Sequence, residues 1–96
     1  MPTVATSNQI MPGEMRRIDL QGTPVAVANI GGKFYAFADA CTYLGCSLSE
    51  GRLDGMVITC SCGSQFDLAS GRVLAGPAIS RIRTYRVQVE GEELRI

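Results

Sequence analysis

Four cysteines and no histidine set the chemistry open to this chain. The cysteines fall within one stretch as two pairs, Cys41 with Cys46 and Cys60 with Cys62. The first pair lies in C-T-Y-L-G-C and the second in C-S-C-G-S-Q-F-D. Each pair sits in a loop rich in Gly and Ser, and the apolar run Met56 to Thr59 leads into the second. Two loops that each bring two thiols can close four soft thiolates around a metal centre. The same count also suits one or two structural disulfides, so both readings stand at this point. Side-chain catalysis has little to work with. A Ser-His-Asp set cannot be built without histidine, and paired carboxylates, a phosphate-cradling glycine loop and an H-E-x-x-H helix are all missing from the sequence.

The two loops resemble the cluster-binding loops of Rieske iron–sulfur proteins. That family carries Cys-x-His-x-x-Cys in its first loop and Cys-x-Cys-His-Gly-Ser in its second. One Cys and one His from each loop hold a 2Fe-2S cluster, with the histidines on one iron and the cysteines on the other. The likeness continues through Gly63-Ser64-Gln65-Phe66-Asp67, Ser70-Gly71 and Gly76-Pro77-Ala78, and it covers most of the chain. It implies an all-β Rieske fold of packed antiparallel sheets, with cluster-binding loops 41–46 and 60–66 at one end. It also implies metal ligands at Cys41 and Cys60. In the subgroup from respiratory and photosynthetic cytochrome complexes the remaining Cys of each loop form a disulfide, and Cys46 and Cys62 match that pair. Ser64 matches a serine whose hydroxyl donates to a cluster sulfur and so raises the potential. Phe66 matches a position that is Tyr in high-potential members. Pro77 matches a proline loop that covers the cluster. Leu44 is read as shielding the site or filling the core of the first loop. Ser64, Phe66 and Pro77 also have plainer readings, as a turn serine, a core aromatic and a rigid turn.

The departures from the family pattern bear directly on chemistry. Tyr43 stands where the first histidine belongs. Cys62 runs straight into Gly63, so the second histidine is missing and the loop is one residue shorter. Imidazole is a neutral nitrogen ligand that iron binds well, whereas a neutral phenol is a poor substitute. Tyr43 is therefore read chiefly as an aromatic cap with its hydroxyl toward solvent. The leading functional reading is an electron-transfer protein of Rieske-ferredoxin type. It would pass one electron between a reductase and a terminal acceptor, using a 2Fe-2S cluster in altered ligation. Two alternatives stay open. One is a clusterless accessory subunit, resembling the small subunits of some assimilatory nitrite reductases. The other is a site for a single iron or zinc in which Cys46 and Cys62 join the ligands. The spacing Cys60-x-Cys62 is tighter than is usual for structural zinc. Survival of the Cys, Gly and Pro positions around the lost histidines argues against the clusterless reading.

Size and charge limit the remaining possibilities. Ninety-six residues make one domain, 1–96, with a core small enough to gain from a metal or a disulfide. Nine basic residues balance nine acidic ones, and Lys33 is the only lysine. No basic cluster marks a nucleic-acid surface, and the apolar runs are too short to span a bilayer. The first ten residues lack the basic start and apolar block of a signal peptide, which predicts a cytoplasmic protein.

Periodicity then supplies the elements that must position the loops. Met1 to Gly13 reads as a loose arm or an edge strand. Strands are predicted over Glu14–Leu20, Val25–Ile30 and Lys33–Ala38, turning at Gln21-Gly22-Thr23-Pro24 and at Gly31-Gly32. Ser47 to Gly55 reads as an exposed connection with a hairpin at Asp54-Gly55. Met56–Thr59 is a buried strand, and Phe66–Leu68 and Arg72–Leu74 flank a turn at Ser70-Gly71. From Arg83 to Glu90, Tyr85, Val87 and Val89 alternate with Arg86, Gln88 and Glu90, which predicts one continuous strand with a wet face. Glu90-Gly91-Glu92 turns it into Leu94–Ile96. No segment carries a helical period, so the architecture is all-β.

Overall fold

The all-β architecture expected from the alternation is the one observed. A computed structural model describes residues 3–43 and 45–96. Among them are eleven strands: β1 (Thr3–Thr6), β2 (Met15–Leu20), β3 (Thr23–Ile30), β4 (Lys33–Ala38), β5 (Arg52–Asp54), β6 (Val57–Thr59), β7 (Gln65–Asp67), β8 (Val73–Ala75), β9 (Thr84–Tyr85), β10 (Gln88–Glu90) and β11 (Glu93–Arg95). The helical structure among the described residues is two single 3-10 turns, at 7–9 and 48–50. The strands form three antiparallel sheets, ordered β1-β11-β10, β2-β3-β4-β9 and β5-β6-β7-β8.

β3 is the axis of the molecule, because both of its faces are buried. Val25 and Val27 face a core shared with Ala5, Ile10, Ala36 and Leu94. Ala26 and Ala28 face the opposite core, which holds Phe37, Leu48, Ile58, Phe66, Leu68, Ala78 and Ile82 together with Cys41 and Cys60. Small alanines on that side leave room for Phe37 and Phe66, both fully buried. Burying such a ring stabilises the fold by about 1.5–3 kcal/mol. The two buried cysteines are thus anchored in the same core as the sheets that carry them.

The β2–β3 and β3–β4 hairpins turn where the sequence predicts. Gly31 and Gly32 take φ of 61° and 94°, a conformation that glycine adopts without strain. Two expectations fail. The segment from Arg83 to Glu90 is two strands in two sheets, not one. β9 pairs with β4, with Tyr85 opposite Ala36, whereas β10 pairs with β11, with Val89 opposite Leu94. Alternation reports which face a residue takes, not which sheet receives it, so the crossing leaves no mark on the pattern. Val89 consequently ends half exposed, at 50 %. The link between the loops is also less open than its composition suggests. Leu48, in the 3-10 turn at 48–50, is fully buried in the core beside the cysteines.

Candidate metal centre

Each cysteine loop begins at the end of a core strand. Cys41 follows β4 by three residues, and Cys60 follows β6 directly. Both loops close in the same way. In the first, Cys41 N–H donates to Cys46 O (2.9 Å) and Gly45 N–H donates to Cys41 O (2.8 Å). In the second, Cys60 N–H donates to Ser64 O (2.8 Å) and Gly63 N–H donates to Cys60 O (2.8 Å). Gly45 and Gly63, with φ of 75° and 97°, supply the left-handed residue that each closure requires. Each turn is thus closed by its own backbone groups.

The exit of the first loop is held by Asp39, which is 3 % exposed. Its carboxylate accepts from Ser49 N–H (2.6 Å), Ser47 Oγ (2.6 Å) and Ser49 Oγ (2.9 Å), and Arg17 Nε lies 3.5 Å away. A third loop, 76–82, ties to both cysteine loops. Thr42 Oγ1 donates to Ser80 O (2.5 Å), and Ala78 N–H donates to Ser64 Oγ (3.0 Å). Sequence reasoning missed Asp39, Thr42, Ser47, Ser49 and Ser80, because these ties form through space and leave no local spacing signal. Asp67 accepts from Ser70 N–H (3.1 Å) and Ser70 Oγ (2.7 Å) and so shapes the turn after β7.

All four cysteine sulfurs converge. Their Sγ atoms lie within 4.8 Å of one another, and all four are free thiols. The close approaches cross between the loops: Cys46 Sγ is 2.6 Å from Cys60 Sγ, and Cys41 Sγ is 3.5 Å from Cys62 Sγ. Cys41 and Cys60 are buried, at 3 % and 2 % exposure, while Cys46 and Cys62 are half-buried. Burial, helped by the adjoining Cys46 thiol, pushes the Cys60 thiol up to about 12. Cys62 is pulled down to about 6, first by the Ser64 hydroxyl 3.3 Å from its sulfur and then by the Ser64 backbone. Because Ser64 Oγ already accepts from Ala78 N–H, its own proton is free to donate to that sulfur.

The other residues singled out in the sequence distribute unevenly around the sulfurs. Ser64 is fully buried and touches the site. Phe66 is fully buried in the core that holds Cys41 and Cys60, which makes it a packing residue beneath the loops. Pro77 is exposed in the third loop, two residues from Ile79 and next to the Ala78 amide that meets Ser64. Tyr43 is 52 % exposed, so its ring lies at the rim. Leu44 lies outside the described residues.

The donor set decides what such a site can hold. A centre needing two imidazoles does not fit a chain without histidine. Four convergent thiols do fit thiophilic metals, zinc and iron–sulfur centres among them. Thiolate is the ligating form, so loading releases protons from the thiols that are still neutral.

Comparison with known proteins agrees with this frame. The Rieske [2Fe-2S] domain matches residues 1–86. The biphenyl 2,3-dioxygenase ferredoxin component of Rhodococcus jostii (strain RHA1) is 34 % identical over 94 residues, covering 97 % of this chain and 88 % of the relative. Ferredoxin CarAc of Metapseudomonas resinovorans is 39 % identical over 92 residues, covering 93 % and 86 %. Among solved structures, a chain in the complex of reduced oxygenase and oxidized ferredoxin in carbazole 1,9a-dioxygenase superposes with a TM-score of 0.92 at 34 % identity, over 98 % of both chains. Strands, loops and relatives converge on one assignment: the chain belongs to the Rieske [2Fe-2S] domain family, as an electron-transfer protein of the ferredoxin type.

Proposed function

We propose that this protein carries single electrons from a reductase to a terminal oxygenase, on an iron centre held in altered ligation at the tip of the β-domain. The convergence of four free thiols within 4.8 Å, at the loops where the family binds its cluster, carries this reading. Relatives described as ferredoxin components of dioxygenase systems support the choice of partner, as does a similar chain solved together with an oxygenase. They do not favour the clusterless reading.

When bound, an iron centre of this kind accepts and returns one electron. The chain's own residues prepare for that. Cys41 and Cys60 would hold it with buried sulfurs, deprotonated on loading and fixed by the strands that end beside them. Ser64 donates to the sulfur of Cys62 and stabilises negative charge there. The third loop roofs the site through Ser64 and Thr42. We take residues 1–96 as one such domain, and four free thiols suit a reducing cytoplasm. No helix among the described residues is long and apolar enough to cross a membrane.

One observation favours a second reading, a single tetrahedral iron or zinc. Thiolates ~2.3 Å from one tetrahedral metal stand ~3.8 Å apart. The Cys41–Cys62 separation of 3.5 Å lies near that spacing, whereas Cys46 and Cys60, 2.6 Å apart, would have to separate on loading. Anaerobic loading with ferrous iron and sulfide, followed by iron and labile-sulfide analysis, separates the two. Two irons with sulfide support the cluster, and one metal without sulfide supports the single ion. Carrier function is read by mixing the reduced protein with a terminal oxygenase and following its reoxidation. A loaded protein that cannot be reduced reversibly defeats the proposal.

A further inference from the structure

We infer that Cys46 and Cys62 are metal ligands, which makes the centre all-thiolate, and that they do not form the loop-to-loop disulfide that their family positions suggest. This rests on the iron-carrier reading above and deepens it.

Three observations lead here. The first is a shortage of donors. The family arrangement takes two nitrogens from histidines, and this chain has none. Two coordination positions must be filled by something else, or the metal is lost. Among the described residues, the group of side chains able to close on one ion consists of the four cysteines alone. The nearest buried carboxylate in sequence, Asp39, is engaged by Ser47, Ser49 and Arg17. Tyr43, in the seat of the first histidine, is more than half exposed.

The second observation is how the sulfurs are arranged. A ligand pair next to a separate disulfide would segregate Cys41 and Cys60 from Cys46 and Cys62. The close contacts do the opposite. Each joins a cysteine of one class to a cysteine of the other, Cys46 to Cys60 and Cys41 to Cys62. The four form one mixed group, with all their sulfurs within 4.8 Å of one another.

The third is the length of the second loop. Loss of the histidine places Cys62 directly before Gly63-Ser64, the seat that the histidine occupies in the family pattern. The loop still closes through Cys60 N–H to Ser64 O and Gly63 N–H to Cys60 O. Shortening thus gives Cys62 the sequence position of the histidine, and the turn stays closed. The sulfur is also provided for there, with Ser64 Oγ 3.3 Å away. The first loop has kept its length, so Cys46 must reach the metal from its own position. Its sulfur lies within 4.8 Å of the other three, close enough to share an ion with them once it has moved apart from Cys60 Sγ.

The test uses the unmodified chain loaded anaerobically with ferrous iron, with and without sulfide. Iron K-edge X-ray absorption reads the first shell, and alkylation under denaturing conditions after chelation counts the thiols. A sulfur-only shell with four alkylated cysteines is the expected result. Nitrogen or oxygen in the shell, or a Cys46–Cys62 disulfide recovered from iron-loaded protein, overturns the inference and leaves the carrier reading intact. Failure of the wild-type chain to retain any iron defeats both. Cys46→Ser and Cys62→Ser provide a second arm, with circular dichroism confirming that each folds. Each is expected to lose ten-fold or more in iron affinity. Unchanged affinity in both folded variants contradicts ligation by these residues.

Discussion

Ser64 and Cys62 work as a unit. The serine hydroxyl receives the Ala78 amide and gives its own proton toward the Cys62 sulfur, so one buried group links the third loop to the second. Replacing it tests both ends. Ser64→Ala leaves the Ala78 N–H buried without a partner, and destabilisation of about 1–3 kcal/mol is expected in chemical denaturation. The same change should return Cys62 toward the ordinary thiol value, ~8.5. In the metal-free wild type, ultraviolet thiolate absorbance should show a first ionisation near pH 6, at Cys62, with Cys60 resisting until about 12. The sign follows from linkage. The lowered Cys62 contributes stability that is full above its unfolded value and is lost as the pH falls through about 6. The raised Cys60 contributes stability that is full below its unfolded value and is lost as the pH rises toward 12. Cys62→Ser should abolish the first step, and its persistence would assign that step to another thiol. At this scale the sequence announces the cysteines, Ser64 and the missing histidines. It cannot announce Asp39, whose role depends on where Ser47 and Ser49 arrive after the loop has turned back.

The elements hold the loops by close backbone approach. Gly51 follows the 3-10 turn at 48–50, and a Cβ placed there would collide with the carbonyl oxygen of Thr59, the residue just before Cys60. The obstacle is backbone, which cannot swing aside as a flexible side chain would. Gly51→Ala should therefore cost about 1–3 kcal/mol and displace the second loop. Thermal denaturation together with weakened iron retention would show it. A fully stable variant with normal iron content would mean that the turn moves away cheaply. The meander β2–β3–β4 was legible because Gly31-Gly32 and alternating apolar residues speak locally. The split of Arg83–Glu90 between β9 and β10 was not, because partner choice is settled by distant strands β4 and β11. The buried Leu48 was hidden in the same way, since a short polar-looking segment reveals nothing of the core that covers it.

At the scale of the molecule, β3 separates two cores, and the one below the loops contains both Cys41 and Cys60. Metal binding is therefore coupled to folding, and the loaded protein should melt higher than the metal-free one. Replacing imidazole by thiolate also adds negative charge around the iron and favours the oxidised state. A two-iron centre held by sulfur alone is expected at about −400 mV, well below the roughly −150 to +300 mV of histidine-held centres. That would require a strongly reducing donor upstream of this carrier. The central claim, a one-electron iron centre gripped by sulfur, is tested most directly by anaerobic reductive titration of the loaded wild-type chain, followed by its visible spectrum. The account predicts reversible uptake of one electron per chain. Retained metal that takes up none, as zinc would, or a chain that holds no iron at all, would contradict it.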